Sequence, residues 1–170
     1  MRGTWSVEKN LPLHLTDVVT VVSVIALWTR RVRLVELTYF WALTASLQAL
    51  LTPNLTERTA PIFVFTFFVT HGGAIVAAIL LVFGLWIVPP ARAVRRVFGA
   101  TLVVAAAAAA GNLITGGNYM FLREKPSTAS LLDVLGPWPV YIAVAAALAL
   151  ALFALLDLPL RAGRRRAAGG

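Results

Sequence analysis

The chain has 170 residues, of which 59% are hydrophobic and 13% charged, with mean hydropathy +0.83 and a net charge of +8. Soluble domains carry about 45–50% apolar and about 25% charged residues, so the composition excludes an ordinary soluble domain and points to an integral membrane protein. The absence of cysteine excludes disulfides, thiolate nucleophiles and Cys-ligated metals.

Five apolar stretches are expected to span the bilayer as an all-α, polytopic helical bundle, at about 11–28, 35–51, 60–88, 94–114 and 139–158. The polar start MRGTWSVEKN has no apolar core, so no cleavable signal peptide is expected. The first span is short and carries His14, Thr16 and Asp17 at one end. An Asp facing lipid costs roughly 2.5–3.5 kcal/mol at a helix centre, so this polar face must turn into the bundle. The second span has Glu36 near its start, where a neighbouring Arg is its simplest partner, and Gln48 near its end, before Thr52-Pro53-Asn54. The third opens on Phe63, Phe65, Phe67 and Phe68, and its apolar run breaks at Thr70-His71-Gly72-Gly73. The fourth holds the alanine run 105–110, then Gly111 and Asn112; small residues of this kind favour close helix approach. Arg161 and Arg164–Arg166 follow the fifth, so 161–170 reads as a basic tail on a single membrane domain covering 1–170.

Sidedness follows from the basic residues. Assigning alternate loops to the same side gives ten Arg on one face (30, 31, 33, 92, 95, 96, 161, 164, 165 and 166) and five basic residues on the other (Arg2, Lys9, Arg58, Arg123 and Lys125). The positive-inside rule then puts the N-terminus outside and the C-terminus in the cytoplasm of a multi-pass cell-membrane protein. His14, Thr16, Asp17, Gln48, Asn54 and Asn112 all fall toward the outer side. His71 lies roughly 15 Å down its helix at about 1.5 Å per residue. These groups are expected to converge on one outward-opening polar cavity.

His14 and Asp17, three residues apart, share a helix face and are expected to pair. Thr16 sits about 200° around the helix from His14, so a Thr16 nucleophile would need His71 from another helix as its base. The bland reading is a packing threonine and a neutral histidine bonded to a carbonyl. Two His and one Asp at these positions fit no metal spacing, and neither metal nor cofactor is expected. Asn54-Leu55-Thr56 matches a glycosylation pattern with nothing else to support it.

The segment 117–138, GNYMFLREKPSTASLLDVLGPW, is the long polar interruption of the second half. Gly116 and Gly117 are expected to end the fourth helix. Ser127 is expected to cap a short amphipathic helix over 127–135 with Leu131, Leu132 and Leu135 on its greasy face. Trp138 reads as an interfacial anchor and Pro139 as the first residue of the last helix. Tyr119, Arg123 and Lys125 are candidates for contact with a lipid headgroup.

The segments LPLHLTDV, ELTYFWALTASLQALLTPNL, FFVTHGG and GGNYMFLREKPSTASLLDVLGPWPVY resemble bacterial YwaF-type integral membrane proteins over nearly the whole chain. That family has two further N-terminal helices, so the resemblance implies the last five of seven. It is similar to eukaryotic multi-spanning phospholipid acyltransferases with a Cys and His pair, and more remotely to membrane threonine hydrolases with Thr and His. The resemblance places Thr16 where the family carries Cys, and His71 at its His-Gly-Gly position. What it implies is a lipid acyltransferase or ester hydrolase with catalytic Thr16 and His71. Around them His14, Asp17, Gln48, Asn54, Asn112, Tyr119, Arg123 and Lys125 would contact substrate, with Asp17, Asn112 or backbone N–H groups as oxyanion donors. The alternative is a non-catalytic membrane protein whose polar groups only hold helices together. A small transporter component is the weakest reading, because no helix shows the paired interruptions of inverted repeats. Membrane lipids are the expected partners and a homo-oligomer is an open alternative; nucleic acid is not expected.

Overall fold

The computed structural model describes residues 5–55 and 59–168, with side chains through Arg165. Arg2, Thr56, Arg58 and the side chain of Arg166 lie outside the described residues. Five long helices form among them: α1 Leu15–Thr29, α2 Val32–Leu51, α3 Pro61–Gly84, α4 Ala93–Thr115 and α5 Val140–Ala168. α2 to α5 each contain an apolar run long enough to cross a bilayer, and α1 is shorter. The chain is therefore an all-helical, multi-pass membrane protein.

Each helix boundary has a local cause. α1 starts where the Asp17 carboxylate accepts the His14 backbone N–H at 3.2 Å, tying off the first turn. It ends at Arg30 in the left-handed region (φ 52°), whose N–H closes on the Ala26 carbonyl at 2.8 Å and lets α2 begin two residues later. α3 opens with Pro61 in its first turn, where the missing N–H has no helical partner to lose. α4 stops at Gly116 (φ 76°), as expected. α5 starts at Val140, one residue after Pro139, and continues through Pro159 to Ala168, well past the expected end at 158.

Two helices contain π-helical turns that periodicity does not reveal: Ala42–Ser46 inside α2 and Leu80–Gly84 at the end of α3. The second ends α3 four residues short of the expected 88. The first lies in the core, between fully buried Ala42 and Ser46. Such wide turns reset the phase of a helix face. Ahead of this turn Trp41 faces the bundle, its indole N–H donating to Thr101 Oγ1 of α4 at 2.8 Å, whereas none of residues 47–51 after it is buried.

The core is built mainly from α2. Val35, Tyr39, Phe40, Trp41 and Ala42 are buried against Ala74, Ala78, Leu81 and Val82 of α3, Val19 and Ala26 of α1, and Phe153 of α5. The close helix approach expected at 105–110 occurs elsewhere. Of that run only Ala108 is fully buried, whereas Ala74, Ala77 and Ala78 make the small-residue face of α3. The reason is placement: α4 packs at the rim and turns Leu102, Val103 and Leu113 outward, a surface that suits hydrocarbon and not water.

Candidate functional site

At 15 residues, α1 is about 22 Å long at 1.5 Å per residue, short of the roughly 30 Å hydrocarbon layer. Its N-terminus needs a cover, and the segment after α4 supplies it. Tyr119 is the pin. Its hydroxyl donates to the Val7 carbonyl at 2.6 Å and accepts the Leu11 N–H at 3.0 Å. Its backbone is bracketed by the buried Asn112 amide, which accepts the Tyr119 N–H at 2.6 Å and donates to the Tyr119 carbonyl at 3.0 Å. The neighbouring Met120 and Phe121 both take positive φ (55° and 53°), a strained pair for non-glycine residues that these bonds hold in place. Gly117 is required by space: a Cβ there would meet the Glu8 carbonyl oxygen at 2.6 Å.

His14 belongs to this clamp. Its Nδ1 accepts the Met120 N–H at 3.2 Å, and its ring sits edge-on to Tyr119 and tilted against Phe121, both at 5.5 Å between centroids. The expected His14–Asp17 ring pair is therefore replaced. Asp17 takes the backbone N–H of His14, and the ring turns to the loop. Asn112, expected as an oxyanion donor, is likewise engaged on Tyr119 through both its amide oxygen and its amide nitrogen.

His71 differs in kind. Its Nδ1 lies 2.7 Å from the Phe67 carbonyl oxygen. A carbonyl only accepts, so Nδ1 carries the proton and Nε2 keeps its lone pair. Thr70 Oγ1, at 3.3 Å from Nδ1, and the Phe67 ring, 4.2 Å away between centroids, fix the ring from the same helix. The two histidines thus hold opposite tautomers: His14 uses Nδ1 as an acceptor for structure, and His71 leaves Nε2 free. α1 packs on α3, so the helix that carries Thr16 adjoins the one that carries His71.

Thr16, like the fully buried Thr38, stands apart from most of the helix threonines by what it lacks. The hydroxyls of Thr20, Thr29, Thr44, Thr66, Thr70, Thr101 and Thr115 each donate to the carbonyl four residues back. That is how hydroxyls in membrane helices satisfy themselves. Thr16 is the second residue of α1, ahead of any such carbonyl, and its half-buried hydroxyl makes no such bond. It also sits at the positive end of the α1 dipole.

The remaining expected site residues are dispersed. Gln48 bonds to Thr52 Oγ1 at 2.9 Å, and Asn54 accepts from Thr128 at 3.0 Å, tying the α2–α3 connection to the loop. Arg123 donates to the carbonyls of Gly116 and Gly117, and Lys125 to that of Asp133, with its ammonium 5.6 Å from the Tyr141 ring. In place of the expected amphipathic helix over 127–135 there is one 3-10 turn, Leu131–Val134. Its cap is Ser130, whose N–H donates to Asp133 at 2.8 Å, so Ser127 is outside it. Tyr141, not singled out in the sequence, and Trp138, expected as an interfacial anchor, donate to the Phe121 and Leu122 carbonyls and complete the clamp. Two open cavities are lined by other residues: Gly116 to Asn118 with Arg123 and Glu124 at the clamp end, and four arginines at the opposite end. Neither is lined by Thr16 or His71.

A family model matches residues 1–157, from ahead of the clamp to the end of the α5 core. The chain belongs to the TMEM164 family. That match spans every element of the clamp together with Thr16 and His71. No curated protein and no solved structure matches the chain significantly.

Proposed function

We propose that this TMEM164-family chain is a membrane-embedded acyltransferase or ester hydrolase acting on lipids, with Thr16 as nucleophile and His71 as its base. One observation carries the reading: His71 is oriented through Nδ1 by a carbonyl and keeps Nε2 basic, while Thr16 on the adjoining helix holds an uncommitted hydroxyl. In the first step His71 Nε2 takes the Thr16 proton as Oγ1 attacks the ester carbonyl carbon. The Asp17 and Val18 N–H groups are taken by the His14 carbonyl, which leaves those of Leu15 and Thr16 at the start of α1 to face the developing oxyanion. Collapse breaks the ester C–O bond, and the leaving alcohol takes the proton from His71. Water or an acceptor alcohol then cleaves the acyl-threonine by the same path in reverse. The Tyr119 clamp is in this scheme the roof of the site, and Arg123 and Lys125 stand at headgroup level. The likeness to YwaF-type proteins belongs to this reading and is tested with it.

The test is labelling of the purified, detergent-solubilised protein with a fluorophosphonate probe. Labelling is expected for the native chain and lost in Thr16→Ala and His71→Ala, with thermal stability kept. Labelling that survives Thr16→Ala overturns the assignment. A second, non-catalytic reading draws on the internal hydrogen bonds of His14, Asn112 and Tyr119; a chain that never labels, and is destabilised alike by all these substitutions, is its expected signature.

A further inference from the structure

The end of the bundle opposite the clamp carries a feature that acyl chemistry does not use. A cavity of about 480 Å³ is lined by Arg33, Arg92, Arg95 and Arg96. This lies within the roughly 300–1,000 Å³ of small-ligand sites. All four arginines sit where two helices start. Arg33 is the second residue of α2, Arg92 is the N-cap of α4, and Arg95 and Arg96 are in its first turns. α2 and α4 pack together, so both N-termini open on the same space.

This is the wrong end of a helix for cations. The macrodipole makes an N-terminus positive, and acidic residues or side-chain caps normally occupy it. Neither α2 nor α4 has an acidic residue in its first turn, and neither N-cap side chain makes a capping bond. One counter-charge is present: Glu36, only 2% exposed, pairs with Arg96 through both carboxylate oxygens. Arg33, Arg92 and Arg95 have no ion pair among the described residues and are exposed. The other acid-paired cluster of this end, Asp157 with Arg161 and Arg164, forms within α5 itself and keeps one net positive charge. The positive-inside rule explains arginines on this face, as it does Arg30 and Arg31. It does not explain why three unpaired ones line a cavity with two uncapped helix ends.

We infer that this cavity is a binding site for a phosphate group, presented by an anionic phospholipid headgroup or by a soluble phosphate. Guanidinium forks and free helix N–H groups are the donors that recognise phosphate. A basic pocket between helices on the cytoplasmic side lies at headgroup depth. The buried Glu36 anchors Arg96 and leaves the other three to the ligand.

The experiment titrates the full chain, in uncharged detergent at constant ionic strength, with dioctanoyl phosphatidic acid, dioctanoylglycerol or inorganic phosphate, and reads the thermal midpoint. Saturable stabilisation by phosphatidic acid and none by the diacylglycerol is expected. Arg92→Ala/Arg95→Ala should weaken it about tenfold or more, and Arg30→Ala/Arg31→Ala by under about twofold. Both doubles remove the same charge from the same face, so orientation and general attraction change equally. Arg96 is kept so that Glu36 stays paired. Stabilisation by phosphatidic acid alone identifies the lipid as the source, and equal stabilisation by inorganic phosphate identifies a soluble one. No saturable effect of either, or equal loss in both double variants, overturns the site.

Discussion

The two ends of this bundle are held by different forces. The end with the clamp is tied by neutral hydrogen bonds from side chains to backbone: Tyr119 to Val7 and Leu11, Asn112 to Tyr119, His14 to Met120, Tyr141 to Phe121, Trp138 to Leu122. The arginine end is tied by ion pairs, Glu36 with Arg96 and Asp157 with Arg161 and Arg164, and by Arg164 reaching the Pro89 carbonyl. Neutral bonds to backbone fix an irregular segment in one shape without adding charge. Ion pairs tolerate water and hold regular helices at an interface. The difference shows which end is built for positioning and which for charge.

That contrast can be broken at specific residues. The largest effect is expected at His71. If it serves as base, His71→Ala should slow probe labelling by about 10²–10⁴-fold, the usual worth of a positioned acid–base group, with the thermal midpoint nearly unchanged. At the arginine end, Arg96→Ala strands the buried Glu36 carboxylate. Leaving a buried charge unpaired costs about 3–5 kcal/mol, so chemical denaturation should show a large loss of stability, while Arg96→Ala/Glu36→Gln recovers much of it. Asn112→Ala removes the partner of a buried N–H and a buried carbonyl and should cost about 1–3 kcal/mol. Because it frees the strained Met120–Phe121 pair, it should also raise proteolytic cleavage within 117–123, which the Arg96 variant should not. Smallest is Tyr119→Phe, about 1 kcal/mol for the hydroxyl's bonds, seen as a modest fall in thermal midpoint. Equal sensitivity of both ends to added salt would remove the distinction, since screening should weaken only the ion-paired end.

The choice between the two histidines shows where sequence reasoning stopped. His14 and His71 are alike as residues in apolar surroundings, and spacing alone pairs His14 with Asp17. Only the fold shows that His14 Nδ1 is taken by an N–H from a residue 106 positions away, while His71 Nδ1 is taken by a carbonyl one turn back on its own helix. Similarly, Asn112 and Tyr119 looked like substrate contacts because they are polar and near one surface. In the structure Asn112 bonds the Tyr119 backbone, and the Tyr119 hydroxyl bonds Val7 and Leu11. Glu36, by contrast, was readable as an Arg partner, since a carboxylate near a run of arginines has one inexpensive solution.

Apolar run length, helix-stopping Pro and Gly, and the distribution of arginines already determine a multi-pass helical protein. These are properties of short windows, governed by transfer of side chains and backbone into hydrocarbon. The π-turns in α2 and α3, the replacement of the expected 127–135 helix by one capped turn, and the covering of α1 by Tyr119 were decided by the tertiary structure. Each rests on a partner far along the chain or on a phase shift no local period records. So does the cavity between the starts of α2 and α4. Arg33 lies about sixty residues ahead of Arg92, Arg95 and Arg96 in the chain, and the four share one space because two helices pack.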